Sequence, residues 1–258
     1  ISLSNNGTGN TLTSGGGAIS LQAYGRGSYA GQEALSITDT SALISAGTGS
    51  VTLTADTMAL AGKIGSPAGS DTGHLKITPL TRTNAIVIGG NAVTSGTALS
   101  EAMLQLPGAV FGGSGKVIQS GLTVTIGTAN TAGQTDGSAG LVTLTNVTFG
   151  NDVTINVPGL SASAPASTGN ITIAGTVDAS GHTITLNSYT GAAVTGGGVT
   201  AERLKLIDPN RTGYFNFSLG TNQVGTLAAD TGRLQYTGSG STGTIIGTVE
   251  GTSGITLS

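Results

Sequence analysis

The chain of 258 residues has no cysteine and no tryptophan, only 3% aromatic residues, and only 8% charged residues. The first absence excludes a disulfide framework and thiolate metal sites, and suits a polypeptide that crosses an oxidising compartment unfolded. Without tryptophan, and with few other aromatics, a β-sandwich core anchored on a bulky ring is disfavoured. An ordinary globular domain carries about 25% charged residues, so this surface is covered by Ser, Thr, Asn and Gly instead. A net charge of -3 with nine Lys and Arg in all and no basic cluster gives no reason to bind nucleic acid or an anionic membrane. No run of 18 apolar residues is present, so membrane insertion by a helix is not expected, and no secretory signal is visible. If the protein is exported, its targeting signal is expected outside this stretch.

What is abundant is glycine, 45 residues, beside 37% hydrophobic residues. That glycine content alone suggests disorder, but Val, Ile, Leu and Thr recur in short alternating runs, and the mean hydropathy of +0.20 is positive, unlike a disordered chain. In the first part, residues 18–22, 35–38, 42–45 and 51–54 are such runs, each of strand length and none with helical spacing. Tyr24, Arg26 and Tyr29 fall in a Gly-rich excursion, read as a surface loop with a ligand-contacting protrusion as the alternative. Residues 75–80 and 86–89 also read as strands, with Pro79 marking a strand end or edge. Residues 99–106 are expected to form the one helix. Ser100 is placed to cap it, Glu101 suits its positive end, Met103, Leu104 and Leu106 give it an apolar side, and Pro107 stops it. So short a helix needs docking, so Met103 and either Leu104 or Leu106 should be buried.

From residue 121 onward the pattern becomes countable. Runs at 122–126, 153–157, 183–187, 214–217 and 244–249 recur at about 30 residues, and Leu141, Ile171, Leu204 and Leu234 form a second series at nearly the same interval. A weaker set at Val194, Val224 and Ile255 falls between them. Three sides to a turn of about 30 residues, or two sides to one of about 20, both fit. The last four residues, Ile255-Thr-Leu-Ser258, restate the first four, Ile1-Ser-Leu-Ser4, which is read as the seam of a tandem repeat. The two-residue hairpin signals a sandwich needs are scarce, Asp136-Gly137 being one. We therefore expect an all-β, right-handed parallel β-helix (β-solenoid) over residues 1–258, one repeat unit of a longer protein, with aliphatic residues stacked inward and Thr outward.

Residues 224–229 (VGTLAA) and 248–255 (TVEGTSGI) resemble the repeats of the filamentous-haemagglutinin-like exoproteins that Gram-negative bacteria export by two-partner secretion. The block Ile86-Val-Ile-Gly-Gly90, Leu99-Ser-Glu-Ala-Met-Leu104 and Val124-Thr-Ile-Gly127 is similar to another unit of those proteins, although the acidic residue of the helix is displaced. The resemblance implies a right-handed parallel β-helix, a secreted or cell-surface location outside the outer membrane, and a role in adhesion or biofilm matrix. The partners it implies are neighbouring repeats joined end to end, and host-cell or matrix glycans or other cell surfaces. It carries over no catalytic residue.

Chemistry-bearing residues are few. Asp152, Asp178 and Asp208 lie about one period apart and would be the acids of a carbohydrate-active β-helix enzyme, the runner-up reading, if they stacked. Asp178 and Asp208 stand in ordinary turn sequences. His74 and His182 have no neighbour at metal or triad spacing. The calcium-binding nonapeptide of some solenoids is missing, and the triple glycines at 15–17 and 196–198 lack the Lys-Ser/Thr of a phosphate loop. No catalytic, cofactor or metal residue is assigned. The pairs Thr52/Thr54, Thr123/Thr125, Thr143/Thr145 and Thr183/Thr185 raise an ice-binding reading, which their irregular intervals weaken. Sequons at Asn6, Asn146, Asn170, Asn210 and Asn216 permit glycosylation without indicating it.

Overall fold

The computed structural model describes residues 2–3, 10–24, 33–66, 69–81, 84–90, 103–111, 116–128, 141–157, 171–188, 191–239 and 243–257. Among these residues, apart from one short hairpin, Thr248–Val249 against Thr252–Ser253, every pairing of strands is parallel. A sandwich of antiparallel sheets is therefore excluded.

The chain passes in turn through three columns of strands. The first holds Ser2–Leu3, Leu35–Ile37 and Met58–Leu60, and farther along Ala85–Gly89, Val142–Thr145, Ile171–Ile173, Gly191–Val194, the start of Tyr214–Thr231, and Arg233–Gly238. The second holds Thr11–Thr13, Leu43–Ser45 and Lys63–Ile64, then Val147–Thr148 and the first halves of Thr176–Ser188 and Gly198–Ile207. The third runs through Ile19–Gln22, Ser50–Thr54, His74–Thr78, Thr123–Gly127 and Val153–Val157. It continues through the second halves of the three long strands to Ile245–Ile246 and Ile255–Leu257. Those long strands count as single elements because they run on through the corner between columns, their pairing lapsing only at the corner itself, as between Ala179 and Thr183 and between Phe217 and Asn222.

Alternation with period two fixes what faces inward. In the third column Ile19, Val51, Leu75, Val124, Val153, Ile184, Leu204 and Leu227 stack on one another in register, all buried. Two residues on, Leu53, Ile77, Ile126, Ile155, Leu186, Leu206 and Ala229 form a parallel buried row. The first column adds Ile86, Val142, Ile171, Ala192 and Phe215, and the second Val147, Val177 and Val199. The sequence distance between stacked equivalents is not constant. It is 49 residues from Leu75 to Val124, 31 from Val153 to Ile184, and 20 from Ile184 to Leu204. Three sides are thus served by passages of very different length.

The expected helix is not there. Residues 99–102 lie outside the described set, and Met103–Leu106 is a strand paired in parallel with Ala85–Gly89. Leu104 and Leu106 are both buried with Gln105 between them half-buried. That is period two, and the open edge of Ala85–Gly89 supplies a hydrogen-bond ladder that an isolated two-turn helix has to do without. Pro107 does end the element, leading into the 3-10 turn Gly108–Val110.

This strand is also out of chain order. Ala85–Gly89 pairs with Met103–Leu106 on one side and with Val142–Thr145 on the other, while Met103–Leu106 packs beside Met58–Leu60. The spatial sequence along the column is therefore 58–60, 103–106, 85–89, 142–145.

The corners are built from backbone. Gly175, Gly197 and Gly220 follow one another at the corner between the first and second columns. A Cβ on Gly197, which has φ +70, would lie 2.3 Å from the carbonyl carbon of Gly175, and one on Gly220, with φ +78, 2.0 Å from the oxygen of Gly197. Main chain stacks directly on main chain there, which only glycine allows. Other turns use a short acceptor followed two residues later by serine. Asp39, Asp178 and Asn216 each accept both the N–H and the hydroxyl of Ser41, Ser180 and Ser218.

The terminal tetrapeptides do not share a phase. Ser2–Leu3 pairs with Ser36 and Ile37 in the first column, whereas Ile255–Leu257 pairs with residues 229–231 in the third. The repeated letters reflect the common strand pattern, not a common position.

Candidate functional site

The outer face of the third column gathers His74, Asp152 and three of the four threonine pairs singled out above. Its middle row, in register from rung to rung, reads Ser20, Thr52, Lys76, Thr125, Thr154, Thr185, Lys205 and Ala228. The row before it reads Ser50, His74, Thr123, Asp152, Thr183, Arg203 and Thr226.

Within the second row neighbours on adjacent rungs are hydrogen-bonded. His74 Nδ1 and the Thr123 hydroxyl are 2.8 Å apart, and Arg203 Nε donates to Thr183 Oγ1 at 3.1 Å. Asp152 accepts the backbone N–H of Thr183 at 2.7 Å and lies 3.7 Å from His182 Nδ1. Burial, and then the charge of Lys76 two residues along the same face, hold His74 below the usual histidine range.

One end of the face is covered. The last third-column strand is interrupted after Gly247 by the hairpin over residues 248–254, turned by Glu250 and Gly251, both at positive φ (45° and 83°). The hairpin folds back over the strands Tyr214–Thr231 and Gly198–Ile207. Lys205 Nζ donates to the main-chain oxygen of Glu250 at 2.8 Å, and Thr185 Oγ1 donates to its carboxylate at 3.3 Å. Where it meets the sheet, Ala228 and the hairpin's own Val249 are 0% and 1% exposed, although Ala228 points outward, and Thr185 is 7% exposed. Sequence reasoning missed this contact, because a hairpin packing on the outside of a sheet leaves no periodic signal. Its visible trace was Glu250-Gly251.

The three aspartates are not brought together. Asp152 stands at the start of the third column. Asp178 lies in the second, in register with Thr148 and Thr200. Asp208 is 1% exposed at the corner after the third column, accepting the N–H groups of Asn210 and Gly213. No group of three His, Cys, Asp or Glu suited to a metal ion occurs among the described residues.

The threonine pairs are split as well. Thr123/Thr125 and Thr183/Thr185 share register on this face, Thr52/Thr54 lies on it two residues further along, Thr143/Thr145 lies in the first column, and Lys76 and Lys205 interrupt the row. The first triple-glycine stretch, 15–17, is a turn, and in the second Gly196 and Gly197 turn the chain into the strand that Gly198 opens. Tyr24 is 76% exposed, with Arg26 and Tyr29 outside the described residues. Of the sequons, Asn146 and Asn216 have their side chains engaged by Thr176 and Ser218, Asn210 is exposed, and Asn6 and Asn170 lie outside the described residues.

No protein family, no curated protein and no solved structure matches the chain.

Proposed function

We propose that this chain is a right-handed parallel β-helix serving as a structural and adhesive segment of a secreted bacterial surface or biofilm-matrix filament, of the filamentous-haemagglutinin-like kind. The observation that carries the reading is the unbroken register of the third column, in which eight stacked aliphatic residues from Ile19 to Leu227 are buried. A stack of this sort gives a stiff body whose length grows by about 4.8 Å with each rung, and whose outside is free to vary. Its handedness follows the general rule for parallel crossovers. The separation of Asp152, Asp178 and Asp208 onto different columns and corners gives the carbohydrate-active enzyme reading no paired carboxylates to work with.

The natural partner is a further rung. At the last rung Ile246, Ile255 and Leu257, in register with Leu227, Ala229 and Thr231, are 52%, 38% and 53% exposed. A strand from a neighbouring repeat, stacked end to end, continues these columns and buries them. The remaining partners are glycans or other surfaces met by the outer faces.

Beads coated with the chain are expected to adhere to epithelial or bacterial surfaces, with no turnover of a panel of acidic and neutral polysaccharides. Turnover that disappears in Asp178→Asn overturns the scaffold reading in favour of the enzyme.

A further inference from the structure

Residues 248–254 are an insertion that leaves the register untouched. Leu227 pairs with Ile246 and Ala229 with Ile255, so Gly247 alone fills the place opposite Ala228. The hydrogen bonds agree. Gly247 N donates to Leu227 O at 3.1 Å, Ala229 N donates to Gly254 O at 2.9 Å, and the loop is closed by Gly254 N on Gly247 O at 2.9 Å. Without residues 248–254, Gly247 O takes the place of Gly254 O and the strand runs on.

What the hairpin places on the face is an acidic residue. Glu250 meets the ammonium of Lys205 with its main-chain oxygen and the hydroxyl of Thr185, on the adjacent rung, with its carboxylate. The same two residue types recur in the same row at Lys76, flanked in register by Thr52 on one rung and Thr125 on the next. Among the described residues no hairpin lies over them and Lys76 has no carboxylate partner. His74 stands beside it on the same strand and face. Asp152 is the one carboxylate in the neighbouring row, and its Oδ1 is taken up by Thr183 N.

We propose that the Thr52–Lys76–Thr125–Thr154 row binds a carboxylate-bearing polysaccharide, and that the Glu250 hairpin occupies the far end of the same row as an internal mimic. The proposal rests on the adhesive reading above and names its ligand class. The four strands that carry this row are each paired on both edges, so no backbone edge is open there for an incoming peptide. Recognition falls to side chains: threonine hydroxyls exchange hydrogen bonds with sugar hydroxyls, and the lysine meets a carboxylate as a point charge. The row runs along the stacking axis, so a polymer lying along it meets one side chain per rung, about 4.8 Å apart.

Affinity electrophoresis in gels containing polygalacturonate, dextran or poly-glutamate tests this, using wild type, Lys76→Gln, the deletion of residues 248–254, and that deletion combined with Lys205→Gln. Wild type is expected to be retarded by polygalacturonate and not by dextran, less so as salt rises. Lys76→Gln should weaken retention about tenfold, the worth of one charge-assisted contact. The deletion, which uncovers Lys205 and Thr185, should strengthen it, and Lys205→Gln should reverse that gain. No retardation of wild type, equal retardation by dextran, unchanged binding of Lys76→Gln, or a deletion that binds no better each overturns the proposal, and stronger retention by poly-glutamate overturns its saccharide assignment. Coated beads of the wild type separate the two readings. Adhesion of the beads with no retardation by polygalacturonate removes this site but leaves the adhesive role, and polymer retention without adhesion does the reverse.

Discussion

Replacing Asn222 by valine extends the aliphatic stack Val147, Val177, Val199 by one more rung, since Asn222 is the next residue in that register. By pattern alone the change should stabilise; the hydrogen bonds of Asn222 say otherwise. The side chain is fully buried. Its Oδ1 accepts Val199 N at 3.2 Å, and its Nδ2 donates to the carbonyls of Phe217 at 2.9 Å, Thr237 at 3.1 Å and Leu219 at 3.2 Å. It thus ties together the corner between the first and second columns over three passages of the chain. Valine strands at least the Val199 N–H and the Phe217 carbonyl, in residues 1% and 0% exposed. At about 1–3 kcal/mol for each buried unpaired group the cost is about 2–6 kcal/mol, and the buried valine offsets about 1.5 kcal/mol of it. A net loss of about 1–4 kcal/mol follows. In a stacked protein part of that loss is local, so the assay pairs the urea midpoint with hydrogen exchange at the Val199 amide, which should lose protection. A valine variant with an unchanged or higher midpoint and a still protected Val199 amide would refute the reasoning.

His74 predicts a pH dependence. Its folded-state pKa lies below the ordinary value of 6.5, so the unfolded chain binds more protons in the interval between the two. Stability is then fully present above about pH 6.5 and declines as pH falls toward the folded value; the urea midpoint of wild type should drop more between pH 7.5 and 5 than that of His74→Gln, and equal drops would remove His74 as the cause. The exposed Ile246, Ile255 and Leu257 predict end-to-end association: sedimentation over a concentration series should show elongated oligomers for wild type and fewer for Ile255→Lys, while a strict monomer at all concentrations counts against the stacking partner.

The parallel, all-β character was legible because Val, Ile and Leu alternate with Thr and Ser in runs such as Ser50–Thr54, Thr123–Gly127 and Val142–Thr145. The periods were only half legible. Residues 122–126, 153–157 and 183–187 do share the third column, but 214–217, placed in the same series, belongs to the first. The passage shortens there from 31 residues to 20, chiefly between the third column and the first: Ile171 follows Val153 by 18 residues, whereas its register partner Ala192 follows Ile184 by 8. A connection of variable length between strands leaves no mark on hydrophobic periodicity. Residues 99–106 misled for a related reason: Met103, Leu104 and Leu106 suit either period, and what decides is the unpaired edge of a strand 14 or more residues earlier. The outer face was legible residue by residue and not as a site, because Lys76 and Lys205 become equivalent only through register.

The strand Ala85–Gly89 has a consequence for how the protein comes to be folded. Every later strand of the first column can dock onto one that precedes it in the chain, so growth proceeds by templating as each segment becomes available. Ala85–Gly89 has no such template, since both of its partners, Met103–Leu106 and Val142–Thr145, come after it. During synthesis it emerges with both edges bare, and it settles only once Met103–Leu106 has slipped beneath it onto the older rungs. Loop closure has to precede its pairing, which makes it a slow step in an otherwise sequential process. It divides the molecule into an early block that zips from Ser2 and a later one that waits for a clasp.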